Sequence, residues 1–403
     1  MHQDGLSQYF EGITAKRMSA VEVSPDRSHQ HEFNGVEGLV KLFGKRENGD
    51  KIRYKTTFLY LDDSEEYERH TDALTWYESR KPPRTEHRLY YTQSNVTEKF
   101  HEGDLVIFGK RTDGTVMLIA AKQGSGAEQE LLWLFSLSPQ NLQRVEYQDL
   151  STEKARLDFT SRLILEELGI EAIRPDNNLL GEMLHDFNGN LPPTKVFSDY
   201  ARLHSGVGSS MDSPDLALIS WISKEEELFR AFEKYLVTIR LQEGFGKNND
   251  DVDAFIQFSL SVHNRRKARM GKSFELHLAY VFIEHKLSFS HGKATERKRT
   301  PDFIFPGIEQ YRDAGFPSER LTMLGAKSTC KERWAQVLNE ADRIKRKHLV
   351  TLERGITEDQ TAEMESSMLQ LVVPTEIQKT YTEKQQTWLM NLEDFIDSVK
   401  SKQ

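Results

Sequence analysis

Pro301-Asp302-Phe303-Ile304-Phe305-Pro306, then Leu321-Thr322-Met323-Leu324-Gly325-Ala326-Lys327, then Leu338-Asn339-Glu340 are the stretches on which the fold turns. The first two are short apolar runs, each bounded by proline, glycine or charge, and they read as buried strands. Between Lys327 and the next apolar run, residues 331–348 are polar and read as a helix, and 369–374 reads as a further strand. Upstream the period is helical. Leu228, Phe229, Phe232, Tyr235, Leu236 and Ile239 lie on one face of a helix over 223–241, and 255–262 and 273–285 look similar. Helices alternating with short apolar strands predict a mixed α/β domain over residues 194–403.

Ahead of that domain, 174–193 carries Pro175, Asn177, Asn178, Asn188-Gly189-Asn190 and Pro192-Pro193 without clear periodicity. It reads as a flexible hinge at 173–193. Residues 1–172 have a different texture. Alternating runs at 55–61, 89–92, 105–109 and 116–121 are separated by turn signals at Asn48-Gly49 and Asp113-Gly114. Many short strands with such turns predict an all-β barrel or sandwich. A helix over 152–168, capped by Ser151 and ended by Gly169, closes it.

The chain has 403 residues, 37% hydrophobic and 29% charged, a composition of soluble globular proteins. No apolar run resembles a leader or could cross a bilayer, so no membrane partner is expected. Cys330 is the only cysteine, which excludes an internal disulfide and a cysteine-based zinc site and points to a reducing, cytoplasmic setting. The net charge of −9 argues against nucleic acid only if charge is spread evenly. It is not: acids gather at 62–68, 224–227 and 250–253, bases at 81–88, 265–272 and 293–299.

Asp302, Lys327 and Glu340 form the most informative set. Hydrolysis of a phosphodiester calls for a divalent metal such as Mg²⁺, held by one or two carboxylates with waters and phosphate oxygens. A lysine beside it steadies the negative charge that develops in the reaction. A carboxylate and a lysine on neighbouring strands deliver both to one phosphate, which is the logic of the PD-(D/E)xK nucleases. That pattern wants an acid two residues before the lysine, where this chain has Gly325. Glu340, on the next helix, is the substitute and with Asp302 the metal-ligand pair, and Glu275 is a further acid that could line the site.

After Lys327 the chain runs Ser328-Thr329-Cys330-Lys331-Glu332-Arg333-Trp334. Basic, acidic and basic side chains suit G·C pairs in the major groove, where Arg or Lys donates to guanine and Glu accepts from cytosine. A solvated first helical turn, with Glu332 complementing the helix dipole, is the other reading. Upstream, Arg265, Arg266, Lys267, Arg269 and Lys272 place five cations in nine residues, around a Gly271 expected to bend the helix. They read as a phosphate clamp or as a solvated helix end.

Ser261-Val262-His263-Asn264-Arg265-Arg266-Lys267, Gly271-Lys272-Ser273, Glu275-Leu276-His277-Leu278, Phe282-Ile283-Glu284-His285, the Pro301-Asp302 block and the Lys327-to-Asp342 block keep their order and spacing. Together they resemble the catalytic domain of the EcoRII-like type II (type IIE) restriction endonucleases, over roughly residues 195–375. The resemblance implies an α/β PD-(D/E)xK fold and a Mg²⁺ site at Asp302, Lys327 and Glu340. It also implies G·C reading by Lys331, Glu332 and Arg333, and it makes the missing acid at Gly325 a feature of the branch.

The N-terminal half is similar to the effector domain of the same family, a DNA-binding pseudobarrel. The likeness rests on Ala15-Lys16-Arg17-Met18-Ser19-Ala20 with Ser28-His29-Gln30, and on Tyr77-Glu78-Ser79 followed by basic residues. It implies DNA-contacting arms at Arg17, Arg27, His29 and Gln30, and at Arg80, Lys81, Arg84 and Arg88. A barrel that binds another protein or the catalytic domain is the alternative. The expected function is a Mg²⁺-dependent endonuclease acting on double-stranded DNA, a homodimer because such sites are commonly symmetric, and activated by a second DNA copy. The competing expectation is a DNA-binding regulator that keeps the fold without activity.

Overall fold

The computed structural model describes every residue except 1–4, 24–30, 47–49, 65–66, 81–85, 144, 152–156, 174, 247 and 332. It divides the chain into two units, Met1–Ile170 and Glu171–Gln403. The first unit is built on eight strands: β1 (Phe10–Arg17), β2 (Glu32–Gly35), β3 (Lys51–Leu61), β4 (Glu68–Arg80), β5 (Glu86–Tyr90), β6 (Leu105–Arg111), β7 (Val116–Ala121) and β8 (Glu146–Asp149). They form one sheet in the order β2-β5-β4-β3-β7-β6-β1-β8. Only β3 and β7 pair in parallel.

Why the sheet curls is visible in its core. Alternate residues of each strand face one side, and Phe33, Phe58, Leu74, Trp76, Leu89, Phe108 and Leu118 meet in one buried cluster. Phe33 on β2 and Phe108 on β6 have ring centroids 5.0 Å apart, although four strands separate β2 from β6 in the sheet. The sheet rolls round to bring them together. The unit is not purely β, since helices Glu37–Phe43, Gly126–Leu134 and Phe159–Glu167 accompany the sheet. The last of these starts later than the sequence suggested. Asp158 caps it by accepting from Ser161 N–H, while Ser151 turns back to Asp149.

The second unit opens with helices Leu180–Asp186, Thr194–His204, Pro214–Glu243 and Val252–Glu284. The expected hinge at 173–193 is therefore corrected: it carries a helix whose Met183 is buried with Phe197, Phe229 and Phe232. Asp176 also pairs with Lys224 at 2.8 Å. Leu179, Leu180, Met183, Leu184 and Phe187 make an apolar stripe at helical spacing, which the asparagines and prolines on either side concealed. Gly271 likewise does not bend its helix. A Cβ there would meet nothing within 4 Å, so it only lowers propensity, by about 1 kcal/mol, inside a helix of 33 residues.

A five-stranded sheet follows: β9 (Ser290–His291), β10 (Phe303–Phe305), β11 (Thr322–Lys327), β12 (Lys347–Thr351) and β13 (Leu369–Val372), ordered β13-β12-β11-β10-β9. β10 pairs antiparallel with β9 and β11, whereas β11, β12 and β13 run parallel. Rings of Phe282, Phe303, Phe305 and Phe395 pack edge-on across one face, tying the long helix and helix Leu392–Lys400 to the sheet. Buried Asp215 accepts from the backbone N–H groups of Thr375, Leu392 and Glu393 and so holds the C-terminal segments. No helix among the described residues is long and apolar enough to cross a membrane.

The expected helix over 331–348 shrinks to Trp334–Val337, and β12 takes the end of that range. All five residues of β12 are buried, so they carry no alternation to betray a strand. Lys347 is tolerated there because its ammonium donates to the carbonyls of Ala341 and Ile344 at 3.1 and 2.8 Å.

Candidate active site

Antiparallel pairing of Phe303 with Leu324 sets Asp302, just before β10, beside the end of β11. There Asp302 Oδ2 accepts from Ala326 N–H at 2.7 Å and from Lys327 Nζ at 3.0 Å. The strand thus delivers the lysine and fixes the carboxylate with its own backbone. Among the described residues both bonds fall on Oδ2.

Glu340 completes the trio from a bend rather than from a helix. Burial, and then the nearby charge of Asp302, push its carboxyl up to about 7, against the opposing pull of Lys327, Lys347 and Arg299. Glu340 and Asp302 are therefore near enough for their charges to interact, and a divalent cation relieves such a repulsion. No group of three or more His, Cys, Asp or Glu that could hold a metal occurs among the described residues. Mg²⁺ asks for less, because waters and substrate oxygens fill most of its shell. Asp302 and Glu340 fit it on that account.

The structure also explains Gly325. A Cβ at this position would lie 3.1 and 3.3 Å from the methyls of Val337 and 3.5 Å from Leu349. The space where the usual acid would stand is taken by the turn Trp334–Val337, whose exit carries Glu340.

Glu275 is held by two basic partners. Burial raises its carboxyl, but hydrogen bonds from His291 and Lys272 outweigh that and hold it below the usual range. It lies 3.0 Å from each partner, and His291 stacks on Phe303. Glu275 thus braces β9, whose next residue Gly292 donates its N–H to the Asp302 carbonyl at 2.9 Å.

The cationic cluster is divided, which corrects its reading as one phosphate clamp. Arg266 pairs with buried Glu233. Arg269 is itself buried, lies over the rings of Phe197 and Phe229, and donates to the Pro192 carbonyl. Lys272 reaches Glu275. Arg265 and Lys267 are the two with no such internal partner among the described residues.

Lys331 and Arg333 lie in the turn between β11 and Trp334–Val337, and Glu332 lies outside the described residues. Sequence reasoning missed Glu353, a buried carboxylate that accepts from Cys330 N–H at 2.8 Å, and Lys347 behind Glu340. An isolated acid and a lysine in a basic run gave no signal of either role.

In the first unit Arg17 is turned inward, paired with Glu128 and donating to the Gly103 carbonyl at 3.1 Å. That corrects its expected place on an arm. Arg88 pairs with Glu86 on its own strand. Arg27, His29, Gln30, Lys81 and Arg84 lie outside the described residues, as does the side chain of Arg80. Their anchors are described: 24–30 leads into β2 and 81–85 into β5, and these strands pair antiparallel from Glu32–Tyr90 to Gly35–His87. The starts of β2 and β5 therefore lie at opposite ends of one strand pair, on the order of 10 Å apart at ~3.4 Å per residue.

Residues 229–396 match the family model described as EcoRII C terminal. The type II restriction enzyme EcoRII of Escherichia coli is 43% identical over 212 residues, which cover 52% of this chain and 51% of that enzyme. The type II restriction enzyme SsoII of Shigella sonnei is 25% identical over 230 residues, 51% of this chain and 74% of that enzyme. Among solved structures, metal-depleted Ecl18kI with uncleaved, modified DNA aligns with a TM-score of 0.46 and 20% identity, covering 55% of this chain and 82% of that one. The PspGI restriction endonuclease–substrate DNA complex aligns at 0.43 and 15%, covering 53% and 93%. The chain spans about half the length of the E. coli relative. The match to the EcoRII C-terminal model lies wholly within the second unit and spans Asp302, Lys327 and Glu340.

Proposed function

We propose that the chain is a Mg²⁺-dependent type II endonuclease that hydrolyses double-stranded DNA at a short symmetric site flanked by G·C pairs. The observation that carries this reading is the convergence of Asp302, Lys327 and Glu340 at one end of β10 and β11, inside the segment that matches the EcoRII C-terminal model. Asp302 and Glu340 would hold the ion, which supplies charge stabilisation at the phosphate and a positioned water. Lys327 places its ammonium beside the same carboxylate, where it steadies the negative charge of the transition state. The backbone N–H of Ala326 keeps Asp302 in register with the lysine, so carboxylate and ammonium present together without reorganisation.

Lys331, Glu332 and Arg333 follow the catalytic lysine closely enough to couple base reading to the reacting phosphate. A symmetric site favours a homodimer assembled through the second unit. The rolled sheet of the first unit supports a DNA-binding pseudobarrel that takes an effector copy of the site. Arg27, His29, Gln30, Arg80, Lys81 and Arg84 would be its contacts.

The test is plasmid cleavage with Mg²⁺ and with EDTA, by wild type and by Asp302→Ala. Wild type should cut at mapped, repeated positions only with the metal. Asp302→Ala should not cut, while still retarding the same duplex in a gel. Uncut plasmid with wild type and Mg²⁺, with site-specific binding intact, would leave a DNA-binding regulator instead.

A further inference from the structure

Cys330 stands at the root of the turn that carries Lys331 and Arg333, and its peptide group is held on both sides. Its carbonyl accepts from the N–H groups of Arg333 and Trp334 at 3.1 and 3.0 Å, which closes the turn. Its own N–H donates to Glu353 Oε2 at 2.8 Å, and the Lys331 N–H approaches the same oxygen at 3.4 Å. On the far side Gln360 donates to the Lys331 carbonyl at 3.4 Å.

Glu353 is well placed to act as an anchor. It follows β12, the strand next to β11, and is only 4% exposed. Its backbone is fixed too: its N–H donates to Thr351 Oγ1 at 3.0 Å and its carbonyl accepts from the Tyr381 hydroxyl at 2.8 Å. A buried carboxylate is kept only where donors repay its desolvation, and here the donors are the amides of the turn. Charge-assisted bonds to backbone N–H groups are short and strong.

We propose that Glu353 is a positioning residue for sequence discrimination: it fixes the Cys330–Lys331 backbone so that the side chains of the turn meet the base edges at one depth. This rests on the reading of Lys331-Glu332-Arg333 as base contacts. A turn free to rock about Cys330 would still let its cations reach DNA, since attraction to phosphate tolerates displacement. Hydrogen bonds to base edges do not. Loss of the anchor therefore lowers discrimination more than it lowers binding.

Two substitutions separate reach from charge. Glu353→Asp keeps the buried charge but withdraws it by about one C–C bond, ~1.5 Å, beyond bonding distance of Cys330 N–H. Glu353→Gln keeps the reach and the acceptor. The measured quantity is the ratio of kcat/KM on the site wild type cuts to that on a duplex with one G·C pair exchanged, using the full chain with Mg²⁺. Glu353→Asp should lower this ratio about tenfold, the low end of what one good base contact supplies, and Glu353→Gln by less than threefold. Lys331→Ala is run beside them.

If Lys331→Ala lowers the ratio and folded Glu353→Asp leaves it unchanged, the positioning role is wrong while the base reading stands. If Lys331→Ala also leaves it unchanged, the base reading has failed and the role of Glu353 with it. Equal loss on both duplexes in the Asp variant makes Glu353 a structural residue only. A measurement that needs no variant is hydrogen exchange of the wild-type amides of residues 330 and 331. They should be strongly protected, and exchange at the rate of an open loop overturns the anchor.

Discussion

Replacing Glu340 by Gln tests the electrostatics of the site without asking for catalysis. In the folded, metal-free protein the carboxyl of Glu340 is pushed up to about 7 from an ordinary 4.5, by burial and then by Asp302. Below pH 4.5 the folded and unfolded chains both hold the proton, and the group adds nothing. Between 4.5 and 7 the unfolded chain releases it while the folded chain keeps it, so stability falls as pH rises through this window and then levels off. Each pH unit of difference corresponds to ~1.4 kcal/mol, which over this window sets an upper figure of about 3.5 kcal/mol. Glu340 is partly exposed, and solvent screening brings this to ~1–2 kcal/mol. Gln imitates the neutral acid and escapes the loss.

At pH 8 without metal, Glu340→Gln should melt roughly 3–6 °C higher than wild type, at 2–4 °C per kcal/mol for a unit of this size. At pH 4.5 the two should melt together. Calorimetry in EDTA is the assay, and a titration with Mg²⁺ supplies the second half. The cation should raise the wild-type transition, because it binds the folded site and relieves the repulsion, and leave the variant almost unmoved. Equal melting at pH 8 would mean that Glu340 does not face Asp302. Equal stabilisation of both proteins by Mg²⁺ would place the ion elsewhere.

Other outcomes follow from the same geometry. Lys327→Ala should abolish cleavage, by at least a hundredfold in kcat for a lost transition-state donor, with duplex binding preserved in a gel-shift assay; cleavage near wild-type rates would move the site. Gly325→Glu should not rescue Glu340→Ala in a plasmid assay, because Val337 and Leu349 occupy the space its side chain needs; recovered cleavage would show that the turn can yield. Asp215→Ala strands three backbone N–H groups and should lower stability by about 3 kcal/mol, read by urea unfolding, while Asp215→Asn should lose less. Removing Met1–Ile170 should leave a nuclease that cuts one-site and two-site plasmids equally fast, whereas the full chain prefers two sites by roughly 5- to 150-fold, the usual range of such couplings; equal rates for the full chain would end the effector account.

What the sequence revealed and what it hid follow one physical division. Strands with alternating or wholly apolar runs, such as β7 and β10, were legible because burial writes directly into residue type. So was the pairing of Asp302 with Lys327, since two short apolar strands that are neighbours in sequence pair in the sheet, across the helix Ile308–Arg312 that connects them. The failures lie where polar residues do interior work. Lys347 made β12 look like a helix end, because an ammonium satisfied by two carbonyls is invisible until the loop around it is closed. Arg266 and Arg269 looked like a surface for phosphate, because Glu233 and the rings of Phe197 and Phe229 lie 33 or more residues away in sequence. Gly325 looked like a missing ligand, and it marks where Val337 approaches. Charge in a sequence reports that a partner is needed, and only the fold decides whether the partner is solvent, phosphate or the protein itself. At Asp302 and Glu340 the fold brings two carboxyl groups within reach of each other's charge, and in the proposed function a cation is their partner beyond Lys327.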